Sequence, residues 1–433
     1  MKGFKYSPWD FVFTCFSLPM FLLDIGLDVW AAVSFYQEKA YLSLGILLFL
    51  LIGSSLLVQT YSWLWYSYED FESRTQAEGC LKRWQYIILH VFQLGIYIRH
   101  AGVLESSVKN MCGRNMEGAA IYLSHDLSML RVIETFSESA PQLVLMLTIM
   151  LQDRLDLVTV VKAIGSVSAI AFTVTTYHRS LRSFLPDKQK QLLTSSVVFF
   201  FWNLLLLMSR IVALALFASV FPCYIFTHFL CSWLVLFFLA WRSKTDFMDS
   251  ACGEWLYRAT VALIWYFDWF NVVEGKTRVR TIFYHGYVLI DISLLVGLWC
   301  WRMITDSITE PYIALIVAIG VPAVYVVGLF FKMIYYKFYH PNICKEELKG
   351  DEAALTGKDI SSREELQGYI RADEIDFKPE MLSITEEDGS PGRATRSFPE
   401  PMLRNAAVGA PQPSQPPVRC NKRMKKLAEN FYS

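Results

Sequence analysis

Signals of secretion and of covalent catalysis are both missing from this chain. None of its asparagines begins an N-x-Ser/Thr sequon, so no N-linked glycan is expected. Its nine cysteines form no C-x-x-C pair and no His/Cys spacing of a zinc site, which argues against a disulfide framework or a bound metal. A P-loop, an H-E-x-x-H string and a G-x-S-x-G elbow are absent, and with them the chemistries those motifs perform. No cofactor is expected. Charge is scarce, at 18% of residues, and balances to a formal net charge of +0, so no nucleic-acid partner is implied. The first apolar run is too long for a cleavable signal and has no small-residue cleavage site, so it should remain as a spanning helix.

What the chain has in quantity is apolar residues, 54%, of which many are aromatic, 15% of the whole. That is the composition of a polytopic membrane protein. Eight runs are long enough to cross a bilayer, a task for roughly 20 residues: about 9–36, 41–66, 126–151, 157–178, 192–219, 222–241, 281–301 and 311–335. Two more, about 84–98 and 256–272, are short and polar, as partial or re-entrant helices are. Most cysteines lie in or beside these runs and read as small core residues. Cys344, past the last run, is a candidate for palmitoylation.

Basic residues sit in alternate loops. Arg74, Lys82 and Arg83 follow the second run, Arg179, Arg182, Lys188 and Lys190 the fifth, Arg242 and Lys244 the seventh, and Lys276, Arg278 and Arg280 precede the next. The positive-inside rule then places both termini in the cytosol, provided the two short runs do not cross. The order span, span, half, span, span occurs twice. The predicted fold is therefore all-α, with eight transmembrane helices and two partial ones in two parallel pseudo-repeats, residues 1–186 and 187–339. Residues 340–433 are acidic and then rich in Pro, Gly, Ser and Gln, a composition that predicts a disordered cytosolic tail.

Several spans carry charge in their middles, which is costly in lipid. Asp24 and Asp28 are one turn apart and share a helix face. Arg131, Glu134, Glu138 and Gln142, spaced 3, 4 and 4, form a polar stripe on the most polar span. Pro141 should kink or break that helix and free backbone carbonyls. With Gln59, Arg210, Asp268, Asn271 and Asp291 these residues could build a continuous polar track, or could pair only to hold the bundle together. His90, His178, His228 and His285 are scattered over separate runs and read as core or interface histidines.

The tail holds two short features. Asp373-Glu374-Ile375-Asp376 before Phe377 has the acid, aliphatic and terminal Asp positions that suit executioner caspases, whose basic pocket pairs with the Asp carboxylate. Asp388, in Thr385-Glu386-Glu387-Asp388, is a weaker site of the same kind. Near the end, Met424, Leu427, Ala428 and Phe431 fall on one face of a helix, with Lys422, Arg423, Lys425 and Lys426 around them. That helix could dock on the bundle as an autoinhibitory plug, or lie on anionic lipid.

Specific strings resemble the XK-related family: Phe21 to Ala32, Asp126 to Phe136 with its S-M-L-R-x-x-E-T-F core, Ala140-Pro141-Gln142-Leu143, Thr245 to Met248, Glu254 to Arg258, Trp269-Phe270-Asn271, and Tyr335-Tyr336 to His340-Pro341. The likeness covers about residues 9 to 345. It implies a plasma-membrane phospholipid scramblase, switched on by caspase cleavage, that exposes phosphatidylserine on apoptotic cells as an engulfment signal. It also implies a single-span immunoglobulin-family partner, basigin or neuroplastin, needed for delivery to the surface. Lipid transfer of this kind is passive and is not an enzymatic reaction. On this reading Asp24, Asp28, Arg131, Glu134, Glu138, Gln142 and Arg210 line or brace the lipid pathway. A scaffold that only carries a partner, and a solute transporter or channel, are the alternatives.

Overall fold

Among the described residues the chain forms thirteen α-helices and two π-helical turns, without any strand. The structure is a computed structural model that describes residues 8–69, 71, 75–112, 117–152, 157–184, 191–243, 245–272, 277–307 and 310–339. The predicted features at Asp373, Glu374, Ile375 and Asp376, at Asp388, and at Met424, Leu427, Ala428 and Phe431 lie outside the described residues, as do Cys344 and the boundary at Pro186.

The long helices follow the apolar runs. They are α1 (Pro8–Gln37), α2 (Tyr41–Tyr68), α8 (Leu157–Phe184), α9 (Leu193–Val220), α10 (Tyr224–Arg242), α12 (Thr277–Thr305) and α13 (Pro311–Ile334). These seven are long and apolar enough to cross a bilayer. The reversal from α1 to α2 takes only Glu38 to Ala40, and Lys39 adopts φ 59° to make it, a left-handed conformation that a tight turn can demand.

The predicted span 126–151 is a longer, composite helix. It runs through α6 (Glu117–Glu134), a π-turn at Thr135–Ser139 and α7 (Ala140–Gln152). Length is no obstacle to its crossing; its charged stripe is what lowers its hydropathy. Pro141 was expected to kink or break it, and the π-turn instead keeps the helix continuous. Pro141 has no N–H to offer the Ser137 carbonyl, and the Ala140 N–H reaches back to the Thr135 carbonyl, the i to i+5 bond of a π-turn. The Ser137 hydroxyl donates to the Ile133 carbonyl at 2.7 Å.

Both short runs differ from spanning helices. After the single turn α3 (Gln76–Gly79), the first comprises α4 (Arg83–Val91) and α5 (Gly95–Met111), bent by 119°. Gly95 is required at that bend: a Cβ there would lie 2.4 Å from His90 Nε2 and 2.6 Å from Gln59 Oε1. The second is α11 (Ala251–Phe267), which the Ser250 hydroxyl caps by accepting the Gly253 N–H. The helix order thus repeats as long, long, short, long, long.

The core centres on α9, against which α7, α8, α12 and α13 pack. Gly328 lets α13 approach closely, since a Cβ there would meet Leu206 at 2.8 Å. In the most apolar stretch of α9, 56% of the residues are buried, whereas in that of α1 the share is 11%. α1 leans on α2 and α5 and leaves much of its surface open.

The cysteines correct the sequence reading. Cys80, Cys112, Cys223, Cys231 and Cys252 are exposed, Cys15 is half-buried, and of the described ones only Cys300 is buried. A membrane protein presents an outer surface as apolar as its core, so apolar neighbours do not place a residue inside.

Candidate functional site

Polar residues recur along one side of α1, and each meets a partner from α6, α7 or α8. At the start of α1, Asp10 pairs with Arg179 of α8 at 3.2 Å. Arg179 also donates to Ser196 Oγ at 2.8 Å and lies 4.8 Å over the Phe13 ring. Higher on α1, Asp24 meets Arg131 at 3.5 Å, and Arg131 pairs with Glu134 at 2.6 Å. The Arg131 guanidinium also covers the Phe21 ring at 4.9 Å. One turn further, Gln142 Nε2 donates to Asp28 Oδ1 at 2.8 Å. Glu138 is buried in the π-turn beside them. From Asp10 to Asp28 the helix rises about 27 Å at 1.5 Å per residue, close to the roughly 30 Å of a bilayer's hydrocarbon core.

Two cavities flank this column, divided by the Arg131–Glu134 ion pair. The smaller, of about 90 Å³, lies between α1, α6 and α8, with Asp10, Thr14, Ser17, Ser128, Arg131 and Arg179 in its wall. The larger, of about 700 Å³, is an open groove between α1 and α2. Its polar residues include Asp28, Ser55, Gln59, Gln93, Glu134 and Glu138, and its walls are otherwise mostly apolar.

The structure brings six of the seven predicted pathway residues together: Asp24, Asp28, Arg131, Glu134, Glu138 and Gln142. Arg210 stands apart, in the second set of helices. It is 1% exposed, forms an ion pair with Asp291 of α12, and donates through Nε to the Tyr266 carbonyl at 3.0 Å. His228 of α10 bridges Asp291 and the Tyr266 hydroxyl, at 3.0 Å each. Nearby helices hold a second buried cation, Lys332, which donates to His285 Nε2 at 2.7 Å. His285 in turn bonds the Tyr325 hydroxyl at 2.7 Å. His90 bonds Ser62 and the Tyr86 carbonyl, and His178 bonds Gln191. All four histidines thus make interior hydrogen bonds. Among the described residues no cluster has the geometry of a metal site.

Sequence reasoning missed Asp10 and Arg179 as a pair, the second having been counted only as a loop charge. A signal existed: Asp10 lies 14 residues before Asp24, close to four helical turns and so on nearly the same face. Also missed was Arg99 of α5, which pairs with Asp126 of α6 at 3.2 Å.

The chain is therefore a multi-pass α-helical membrane protein with a polar column beside an open groove. It matches the XK-related protein family over residues 12–341 and belongs to it. It is 46% identical to XK-related protein 8 of Tetraodon nigroviridis over 356 residues, 78% of this chain and 85% of that protein. To XK-related protein 8 of Gasterosteus aculeatus it is 45% identical over 350 residues, 78% and 86% of the two chains. To XK-related protein 8 of Pan troglodytes it is 39% identical over 347 residues, 77% and 85%.

Proposed function

We propose that this protein is a caspase-activated phospholipid scramblase of the plasma membrane, with both termini cytosolic. The carrying observation is the polar column from Asp10 to Asp28 with an open groove at its side. A headgroup crossing hydrocarbon needs continuous polar contacts, while its acyl chains stay in lipid. A column on a thinly covered helix serves both needs. Nothing in such a passage forms or breaks a covalent bond. Transfer is passive and runs in both directions, and phosphatidylserine reaches the outer leaflet during apoptosis as an engulfment signal.

In this reading the Met424–Phe431 helix docks apolar face down and holds the bundle closed, and cutting after Asp376 releases it. A single-span immunoglobulin-family partner, basigin or neuroplastin, accompanies the chain to the surface.

The test is annexin binding to scramblase-deficient cells that express the chain, its Asp376→Ala variant, or a chain ending at Asp376. The expected result is exposure after caspase activation for the first, none for the second, and exposure without caspase for the third. Exposure by the Asp376→Ala variant moves the cut to Asp388 or elsewhere. No exposure by any of them, with the protein confirmed at the surface, overturns the scramblase reading.

A further inference from the structure

One helix of this fold has two sets of neighbours. The first part of the composite helix, α6, packs on α5, α8 and α2, whereas its second part, α7, packs mainly on α9. The π-turn at Thr135–Ser139 joins the two. A π-turn interrupts the α-helical ladder and is one of the few causes of a helix bend. Pro141 follows closely and withholds an N–H from the Ser137 carbonyl. Backbone hydrogen bonding is therefore thinnest at the joint between the two packed parts.

The side chains of the turn divide into a packed side and a hydrogen-bonded side. Phe136 is buried and stacks on Phe267 of α11, with 6.2 Å between ring centroids. On the other side, the hydroxyls of Ser137 and of Ser54 on α2 are hydrogen-bonded at 2.8 Å. Ser54, which is buried, is also hydrogen-bonded to Glu138, and Glu138 to Asp28. Asp28 closes the chain by accepting from Gln142 of α7 at 2.8 Å. Hydrogen bonds of this kind each contribute modestly, so the chain can open while Phe136 stays seated. Glu134 and Glu138, before and within the turn, also line the groove between α1 and α2. A bend at the joint therefore changes the shape of that groove.

We propose that the π-turn is a hinge on which α7 moves with α9 against α1 and α2, and that Ser54 is its latch. Latched, as in this structure, the turn holds Glu138 and Gln142 beside Asp28. Unlatched, α7 carries Gln142 away from Asp28 and the groove widens, with Phe136 against Phe267 as the pivot. A few residues at the ends of elements are enough to absorb such a change. What the motion serves rests on the scramblase reading: the unlatched state is the one that passes lipid.

The experiment locks the latch. Ser54→Cys and Ser137→Cys are made together in the full chain; hydroxyl oxygens 2.8 Å apart bring the two Cβ atoms close to the separation a disulfide needs. The protein is reconstituted in vesicles and treated with an executioner caspase, and acyl-labelled fluorescent phosphatidylcholine is followed by dithionite bleaching. Oxidation is expected to slow the double variant about tenfold, the change that about 1.4 kcal/mol gives. Reductant is expected to restore it, which misfolding would not allow, and the unaltered chain should respond to neither. Equal flux in the oxidised and reduced variant, with the disulfide confirmed by mass spectrometry, overturns the hinge and leaves the scramblase reading standing. Hydrogen exchange of the full chain reads the hinge without lipid. The amides of residues 136–140 are expected to be less protected than those of α9, and Ser54→Ala to speed their exchange several-fold with α9 unchanged. If the unaltered chain moves no lipid, the scramblase reading falls and exchange alone decides. Amides at 136–140 as protected as those of α9, or unmoved by Ser54→Ala, overturn the hinge.

Discussion

At the level of single residues, Arg99 shows what buried charge does in this protein. It lies on α5, just beyond the bend of the re-entrant segment. Its Nε donates to Ser62 Oγ at 2.9 Å, and its terminal nitrogens reach the Ser62 carbonyl at 3.1 Å and Asp126 at 3.2 Å. The guanidinium also covers the Tyr66 ring at 4.1 Å. One side chain thereby ties the re-entrant helix to α2 and α6. The arginine and aspartate side chains are 4% and 2% exposed, so water cannot replace the pair. Arg99→Met should destabilise the fold by about 3–5 kcal/mol, because it leaves Asp126 buried without its guanidinium. Arg99→Lys should recover only part of this, since an ammonium cannot fork to Ser62 and Asp126 together. Thermal melting of the detergent-solubilised protein, read by size exclusion, is the measurement. An unchanged melting point for Arg99→Met would assign the anchoring to the apolar contacts of α5.

At the level of elements, α1 is the least buried of the seven long apolar helices. It packs on α2 and α5, and its first turns depend on Asp10–Arg179 and on Phe13 stacked at 5.6 Å on Phe172. Reversing either charge alone should set like charges against each other and lower the yield of folded protein at the surface. Making Asp10→Arg and Arg179→Asp together should restore most of it, because the pair is rebuilt in the opposite sense. Surface biotinylation reads this out, and a double variant no better than the singles would mean that Arg179 acts through Ser196 alone. Helix positions were legible because apolar runs of spanning length have few other uses; α1 was expected at 9–36 and occupies Pro8–Gln37. The re-entrant bend was legible as a run too short and polar to cross, though its Gly95 contact was not, because that depends on α2. The π-turn was legible only as Pro141, which signals a disturbed helix without saying how it is repaired. Asp24, Asp28, Arg131, Glu134, Glu138 and Gln142 were singled out together because polar groups in an apolar run have to be explained, and the structure brings them together beside α1. The exposed cysteines were misplaced because hydrophobicity cannot separate a core from a lipid-facing surface.

At the level of the whole molecule, both sets of helices hold their buried arginines in internal ion pairs: Arg99 with Asp126 and Arg131 with Glu134 in the first, Arg210 with Asp291 in the second. There α9 packs against α12 and α13. Asp28 and Glu138 form no ion pair among the described residues; they line the groove of about 700 Å³, with Asp28 accepting from Gln142. The same chemical substitution should therefore have different consequences for stability at Asp291 and at Asp28. Asp291→Asn removes the counter-charge of an arginine that is 1% exposed, and breaking such a pair costs about 3–5 kcal/mol. Asp28→Asn breaks no ion pair among the described residues. It keeps the shape that accepts from Gln142 and should leave the melting point unchanged or raise it. On the scramblase reading, lipid flux follows the reverse order: at equal amounts of folded protein, Asp28→Asn slows it more than Asp291→Asn does. Melting curves and lipid flux on the same two preparations test this. If Asp28→Asn proves as destabilising as Asp291→Asn, and its flux is unchanged, the column on α1 serves only to hold the fold together.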